Sequence, residues 1–131
     1  MTINREATPE WSKAVYQMTN KQGVDVVIDN VGAATFNNSI RCARIGGRIL
    51  VVGNTSGPLV ELDLRQVFVR QIAIIGSTMG PHQDFVKVMS LVFEGKLKPV
   101  IGAVLPLAEV RKGMEMLANF EVYGKVVLEI S

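Results

Sequence analysis

The chain has 131 residues, about the length of one domain, and its 48% hydrophobic content fits a folded core rather than a disordered chain. Fourteen basic and twelve acidic residues give a net charge of +2 with no block of like charge, so neither nucleic acid nor a membrane is an expected partner. No stretch approaches the roughly 18 apolar residues that a membrane span needs. These features predict a soluble, cytoplasmic protein.

The first predicted element is a helix that begins after residue 8. Thr8 suits the N-cap and Pro9 the first helical position, and an apolar stripe at helical spacing follows. Residues 20–23 end this helix, because Asn20 and Gly23 favour a turn.

Three short apolar runs follow, and each ends in a loop of small and polar residues. The runs occupy residues 24–28, 48–52 and 71–75, and the loops occupy residues 29–32, 53–57 and 76–80. Continuous apolar runs of this length indicate strands buried on both faces, as in a parallel sheet with helices above and below. Ligands of such α/β sheets bind beyond the carboxyl ends of the strands, so the three loops are the predicted functional edge.

The remaining segments complete an alternating α/β pattern. Residues 35–44 are predicted to be a helix that the pair Gly46 and Gly47 ends with left-handed turn geometry. The other expected elements are a short helical passage at 62–69, a helix at 83–94, a proline-interrupted edge strand at 98–106, a helix at 107–119 and a closing strand at 125–130.

Few residues of this chain carry reactive chemistry. The single cysteine, Cys42, excludes an internal disulfide, and it is interpreted as a buried small hydrophobe, with a reactive thiol as the alternative. His82 is interpreted as a surface or capping residue, with a general acid as the alternative. Asp25 and Asp29 bracket the first strand without an obvious partner. These residues predict no metal site.

The order of the glycine-based motifs resembles one family. The matching segments are 23–32, 46–48, 53–57, 75–77, 94–99, 104–107 and 124–128. In this order and spacing the chain resembles the medium-chain dehydrogenase/reductase superfamily, especially its quinone oxidoreductase and zinc-type alcohol dehydrogenase branches. The resemblance covers essentially the whole chain.

The resemblance implies a partial Rossmann-type parallel sheet with flanking helices, the second half of a doubly wound dinucleotide-binding domain. Residues 1–131 would form this single partial domain. The family's N-terminal catalytic domain, which holds the zinc ligands of its zinc-dependent members, has no counterpart here, and no G-x-G-x-x-G phosphate turn occurs in the sequence. The residue that selects between NAD and NADP is also not found. The implied cofactor is therefore NAD or NADP, with no zinc in this chain.

The resemblance also implies which residues border the cofactor. Asn30 and Val31 would border the nicotinamide ribose, and Lys125 would lie near the cofactor. The residues that would border the nicotinamide ring and its carboxamide are Gly53, Asn54, Thr55, Ser77, Thr78 and Met79. The alternative is that Gly, Asn, Ser and Thr simply make good turns here, and that Lys125 is a solvated lysine at a strand start.

Two functions remain in competition. The chain is either the nicotinamide-side part of an NAD(P)-dependent oxidoreductase, with hydride transfer to or from a quinone, enone, aldehyde or alcohol, or a non-catalytic assembly module. The second hypothesis rests on the predicted strands 24–28 and 72–75, whose edges carry backbone groups that need hydrogen-bond partners. It predicts a homo-oligomer formed by strand pairing, or a partner chain that supplies the missing half.

Overall fold

The computed structural model describes residues 2–130. These residues form two compact units that divide between Met79 and Gly80. Within residues 2–130, every helix is too short or too polar to cross a membrane.

The first unit is a three-stranded parallel sheet with helices in the connections. Its elements are α1 (Trp11–Met18), β1 (Val24–Asp29), α2 (Phe36–Cys42), β2 (Ala43–Val51), α3 (Arg65–Phe68) and β3 (Ala73–Gly76). The strand order is β1-β2-β3 and both pairings are parallel, with Val27 opposite Ile49 and Ile49 opposite Ile74. The predicted α/β class and the three neighbouring parallel strands are confirmed.

The core of this unit lies on one face of the sheet. Ile40 of α2 and Ile49 of β2 are fully buried against Phe36, Ala43 and Ile72. Because successive side chains of a strand point to opposite faces, the neighbours of the core residues emerge on the other face.

That other face is exposed, which corrects the prediction of strands buried on both faces. On β1, Val26 is 44% and Ile28 68% exposed, whereas Val27 between them is half-buried. On β3, Ile74 and Ile75 are both 41% exposed, so that strand is open on both faces. The apolar runs predicted burial on both faces, but α2 packs through Ile40 only on the face of the sheet that carries Ile49. A run of β-branched residues specifies a strand, and only the packing decides which faces of it are covered.

The start of α1 also differs from the prediction. The helix begins at Trp11, and the position before it is Glu10 rather than Thr8. Thr8 instead donates its N–H to the carbonyl of Asn4 at 2.9 Å, and the side chain of Asn4 accepts the N–H of Glu6 at 2.9 Å. Residues 4–8 therefore form a separate turn before α1, and the Glu10 side chain makes no capping hydrogen bond.

The Gly46–Gly47 pair lies inside β2 rather than at the end of a helix. The helix α2 ends at Cys42, and the pairing with β1 jumps from Val24–Ala43 to Val26–Arg48, so residues 44–47 bulge out of the ladder. Gly46 has the predicted left-handed conformation, with φ of 71°, whereas Gly47 does not. The Gly46 N–H donates to the carbonyl of Arg70 at 2.9 Å, which fixes the bulge to the chain before β3.

The second unit contains a parallel strand pair and two α-helices. Its elements are α4 (His82–Phe93), β4 (Ile101–Pro106), a 3-10 turn (Leu107–Glu109), α5 (Val110–Ala118) and β5 (Lys125–Glu129). The strands β4 and β5 pair with each other in a two-stranded sheet. Gly113 of α5 is buried, and a side chain there would meet Leu105 and Val126, so α5 packs closely on this sheet.

Candidate functional site

A buried carboxylate organises the loop that follows β1. Asp29, the last residue of β1, is only 3% exposed. It accepts hydrogen bonds from the N–H groups of Val31 and Gly32, both at 2.9 Å, and from the hydroxyl of Ser39 at 2.6 Å. The hydroxyl of Thr35 donates to both of its oxygens, at 3.0 and 2.9 Å. The loop therefore winds around one satisfied, buried charge.

These contacts decide the ionisation of Asp29. Burial favours the neutral acid, but the hydrogen bonds from Gly32, Ser39, Val31 and Thr35 outweigh it, so the pKa of Asp29 lies below its ordinary value. The carboxylate is thus charged at neutral pH, and it needs no counter-ion because four donors replace its water.

Gly32 gives this loop its close approach to the next one. It has φ of 85°, and a side chain there would come within 2.7 Å of the Gly57 carbonyl oxygen. Glycine is required on both grounds, because a left-handed conformation and a backbone contact each disfavour a side chain.

The loop that follows β2 is fastened to the loop that follows β1. Ser56 donates its hydroxyl to the Val31 carbonyl at 2.6 Å and accepts the N–H of Ala34 at 2.9 Å. Ala33 donates its N–H to the Gly57 carbonyl at 3.1 Å. Because these hydrogen bonds cross between the two loops, residues 30–35 and 53–57 form one connected platform at the carboxyl edge of the sheet.

A cavity of about 630 Å³ opens at the ends of β2 and β3. Residues 51–54 and 76–79 line it, so it brings together five of the predicted site residues: Gly53, Asn54, Ser77, Thr78 and Met79. The N–H of Ser77 donates to the Val51 carbonyl at 2.9 Å, which extends the sheet ladder up to the cavity. The role of these residues at a cofactor stays a prediction.

The other predicted site residues lie elsewhere. Asn30 and Val31 line a smaller cavity of about 370 Å³ at the end of β1. Thr55 packs on the Asn30 carbonyl, to which its hydroxyl donates at 3.4 Å. Lys125 is the first residue of β5 in the second unit, where its N–H donates to the Val100 carbonyl at 2.8 Å. The role of Lys125 at a cofactor also stays a prediction.

The described residues do not offer a zinc ligand set. Within residues 2–130, no three side chains of the His, Cys, Asp and Glu types come together as metal ligands. Cys42 is only 2% exposed, and burial raises the pKa of its thiol to about 11 against the opposing charge of Arg70. This supports the interpretation of Cys42 as a buried hydrophobe. His82 is exposed and stacks on Phe85.

Sequence reasoning missed the Asp29 cluster. The available signal was local, because an aspartate commonly accepts the N–H groups two and three residues on, and Thr35 is the first residue of a predicted helix. Ser39 lies one helical turn after Thr35, on the same face. Asp25 has a partner too, since the Nε of Arg44 lies 2.6 Å from its carboxylate.

Several known proteins are similar to this chain in sequence. Residues 1–94 match the model of a family described as zinc-binding dehydrogenase. An acryloyl-coenzyme A reductase of Metallosphaera sedula is 38% identical over 109 residues, 82% of this chain and 33% of that protein. An NAD-dependent alcohol dehydrogenase of Sulfolobus acidocaldarius is 33% identical over 119 residues, 89% of this chain and 34% of that protein. This chain therefore spans about a third of the length of these curated relatives.

Solved structures are also similar to this chain, in both sequence and fold. A crystal structure of an NAD-dependent alcohol dehydrogenase shares 41% identity and a TM-score of 0.85, over 95% of this chain and 36% of that one. A 2-octenoyl-CoA carboxylase reductase in complex with NADP and 2-octenoyl-CoA shares 28% identity and a TM-score of 0.81, over 94% of this chain and 27% of that one.

Proposed function

Because this chain belongs to the zinc-binding dehydrogenase family, we propose that it forms the nicotinamide side of an NAD(P)-binding site in an oxidoreductase. The observation that carries the proposal is the cavity of residues 51–54 and 76–79, at the carboxyl ends of two adjacent parallel strands. The names of the relatives support it, since one is an NAD-dependent alcohol dehydrogenase and one solved neighbour holds NADP.

The geometry suits recognition of a carboxamide. Residues 53–54 and 77–79 are loop residues. Apart from the Ser77 N–H, which donates to the Val51 carbonyl, their backbone N–H groups are available to hydrogen-bond an amide and so fix the orientation of the ring. A bound nicotinamide cofactor would supply the hydride in a reduction and accept it in the oxidation of an alcohol. The platform of residues 30–35 and 53–57, held by Asp29 and Ser56, keeps one wall of the cavity in place while the ring binds.

The proposed reaction is hydride transfer between the nicotinamide and a quinone, an enone, an aldehyde or an alcohol. The relatives named acryloyl-coenzyme A reductase and crotonyl-CoA reductase add an activated alkene in thioester form to this range. Since the relatives are about three times as long as the part that matches, we expect further residues or a second chain to complete the substrate side.

A titration of the purified chain with NADH and NADPH tests the proposal. We expect saturable binding, seen as a change in cofactor fluorescence, and its loss in Gly76→Val. Gly76 lines the cavity, and a Cβ added at this position meets no atom within 4 Å, so the substitution adds bulk at the cavity wall with little strain on the backbone.

Gly80→Val is the matched control for this titration. A side chain there meets only Asp84 at an ordinary contact distance of 3.5 Å, and Gly80 does not line the cavity. Binding should therefore be unchanged in Gly80→Val. Absence of binding up to millimolar cofactor, or equal binding in wild type and Gly76→Val, would contradict the proposal.

A second function, assembly through strand edges, is favoured by the strand order. β1 and β3 are the outer strands of the three-stranded sheet, and all four residues of β3 are exposed. Edge strands carry backbone groups that can pair with another chain. We expect a homo-oligomer formed through these edges, or a complex with a chain that supplies the other half of the sheet. Light scattering tests this, and a strictly monomeric species at micromolar concentration would count against it.

A further inference from the structure

A third cavity, of about 820 Å³, lies at the opposite end of the sheet from the candidate cofactor site. Its walls include Lys21 just before β1, Arg44 at the start of β2 and Arg70 just before β3. Because the three strands are parallel, these residues gather at the amino ends of the strands, whereas residues 51–54 and 76–79 lie at the carboxyl ends.

The cavity wall combines apolar surface with basic side chains. Its charged lining residues are all basic: Lys13, Lys21, Arg41, Arg44 and Arg70. Two of them are paired, Lys13 with Glu10 at 2.5 Å and Arg44 with Asp25 at 2.6 Å. The whole chain carries a net charge of only +2. The five basic residues at this wall are therefore balanced by acidic residues that lie elsewhere in the chain.

The other three cations have no ion pair within the described residues. Arg70 donates to the carbonyls of Ile40 and Ala43, which are neutral acceptors at the end of α2. Arg41 reaches only the side-chain oxygen of Asn38 at 3.4 Å, and no carboxylate of residues 2–130 pairs with Lys21 or Arg41. Their charges therefore remain available to an anion.

The backbone next to two of these cations adopts an unfavourable left-handed conformation. Lys21 has a left-handed conformation with φ of 63°, and so do its neighbour Asn20 and Gln71, which follows Arg70. Residues other than glycine adopt this conformation only where the surroundings hold them, as the hydrogen bond from the Lys21 N–H to the Tyr16 carbonyl at 2.8 Å does here. The backbone of Lys21 is therefore held in place beside the cavity.

We propose that this cavity binds an organic diphosphate that carries a flat apolar group. Lysine and arginine side chains are the usual partners of phosphate oxygens, and the cavity volume lies within the range of small-molecule sites, well above the size of phosphate alone. The ring of Tyr16 and the side chain of Ile45 complete the wall and offer a surface on which a flat group packs. This inference is independent of the proposed hydride-transfer function.

ADP is the first probe, titrated into the ¹⁵N-labelled full chain by NMR and in parallel by calorimetry. We expect amide shifts in residues 12–22 and 41–45 and near Arg70, and weaker binding as salt is raised. Inorganic pyrophosphate should bind more weakly than ADP, and adenosine more weakly still.

The double variant Lys21→Gln/Arg41→Gln should weaken ADP binding by about tenfold, because two exposed charge contacts are lost. Lys98→Gln/Arg111→Gln is the matched control, since it removes the same two charges from exposed positions in the second unit and should change the affinity by less than about twofold. Tyr16→Ala should weaken ADP binding while leaving the affinity for pyrophosphate unchanged.

Several outcomes would overturn the proposal. Equal ADP affinity in the wild type and the Lys21/Arg41 variant would do so, as would shifts confined to residues 51–54 and 76–79. Binding of an oligonucleotide without binding of ADP would assign the cationic wall to a nucleic acid instead. Because NADH itself carries an ADP group, nicotinamide mononucleotide separates the two proposals: a failure of the mononucleotide to bind would leave the ADP result untouched, because the two cavities share no lining residue.

Discussion

Asp29 is the residue on which the carboxyl-edge platform depends most directly. Asp29→Asn keeps the size of the side chain but removes the charge and turns one acceptor into a donor that faces the hydroxyls of Thr35 and Ser39. We expect the free energy of unfolding to fall by about 2–3 kcal/mol, since buried donors lose a charged acceptor. Urea denaturation gives the value.

Asp25→Asn is the matched control for that measurement. Asp25 lies on the same strand but is exposed, and its ion pair with Arg44 faces solvent. Exposed ion pairs contribute little to stability, so the change should be much smaller than for Asp29→Asn. Similar losses in the two variants would mean that the burial of Asp29 is not what stabilises the platform.

The depressed pKa of Asp29 also predicts how stability depends on pH. Its stabilising contribution is complete above the unfolded-state pKa of about 3.9, and it disappears as the pH falls through the lower pKa of the folded state. The stability difference between the wild type and Asp29→Asn should therefore shrink as the pH is lowered below about 4. Urea midpoints measured across the acid range test this, and a difference that grew on acidification would contradict it.

Cys42 is predicted to be an unreactive thiol in the folded chain. Burial raises its pKa to about 11, so near pH 8 only about one thiol in a thousand is ionised, and the side chain is only 2% exposed. Ellman's reagent should react slowly in buffer and rapidly in urea. Equally rapid labelling under both conditions would restore the reactive-thiol interpretation.

At the scale of the elements, the sheet carries its core on one face only. Ile49→Ala on the α2 side should lower the free energy of unfolding by about 2–5 kcal/mol, because Ile49 is fully buried. Ile28→Ala makes the same chemical change on the other face, where the side chain is 68% exposed, and should cost less than about 1 kcal/mol. Equal costs in urea denaturation would show that the second face is covered in solution.

The boundaries of the elements show where local patterns stop being informative. The existence and order of α2, β2 and β3 follow from apolar periodicity, which burial enforces. The start of α1 and the path of residues 44–47 do not, because they depend on hydrogen bonds between segments that are distant in the sequence or compete locally. Residues 4–8 form their own turn before α1, and the Arg70 carbonyl holds Gly46 in a bulge that resembles a helix cap in sequence.

At the scale of the whole molecule, the two proposed sites lie at opposite ends of one sheet, and we predict that they act independently. Saturation of the carboxyl-edge cavity with nicotinamide mononucleotide should change the affinity for ADP by less than about twofold, since the two cavities share no lining residue. Calorimetric titration of ADP in the presence and absence of the mononucleotide measures the coupling. Direct competition would mean that both ligands use a single site.

The sequence by itself determined the α/β class, the three neighbouring parallel strands and the loops that lie at the carboxyl edge of the sheet. It could do so because β-branched runs and glycine turns act locally, and because parallel strands necessarily place their carboxyl ends together. Only the tertiary structure decided that Asp29 is the buried centre of the platform and that Thr55 packs on Asn30 instead of lining the cavity.

The tertiary structure also decided that five basic side chains share one wall. Lys13 and Lys21 are distant in the sequence from Arg41, Arg44 and Arg70, and no local pattern relates them. Basic residues, unlike apolar ones, do not recur at a helix or strand period. The sequence therefore does not show which of them will lie together, and they share one wall only after folding brings their segments together.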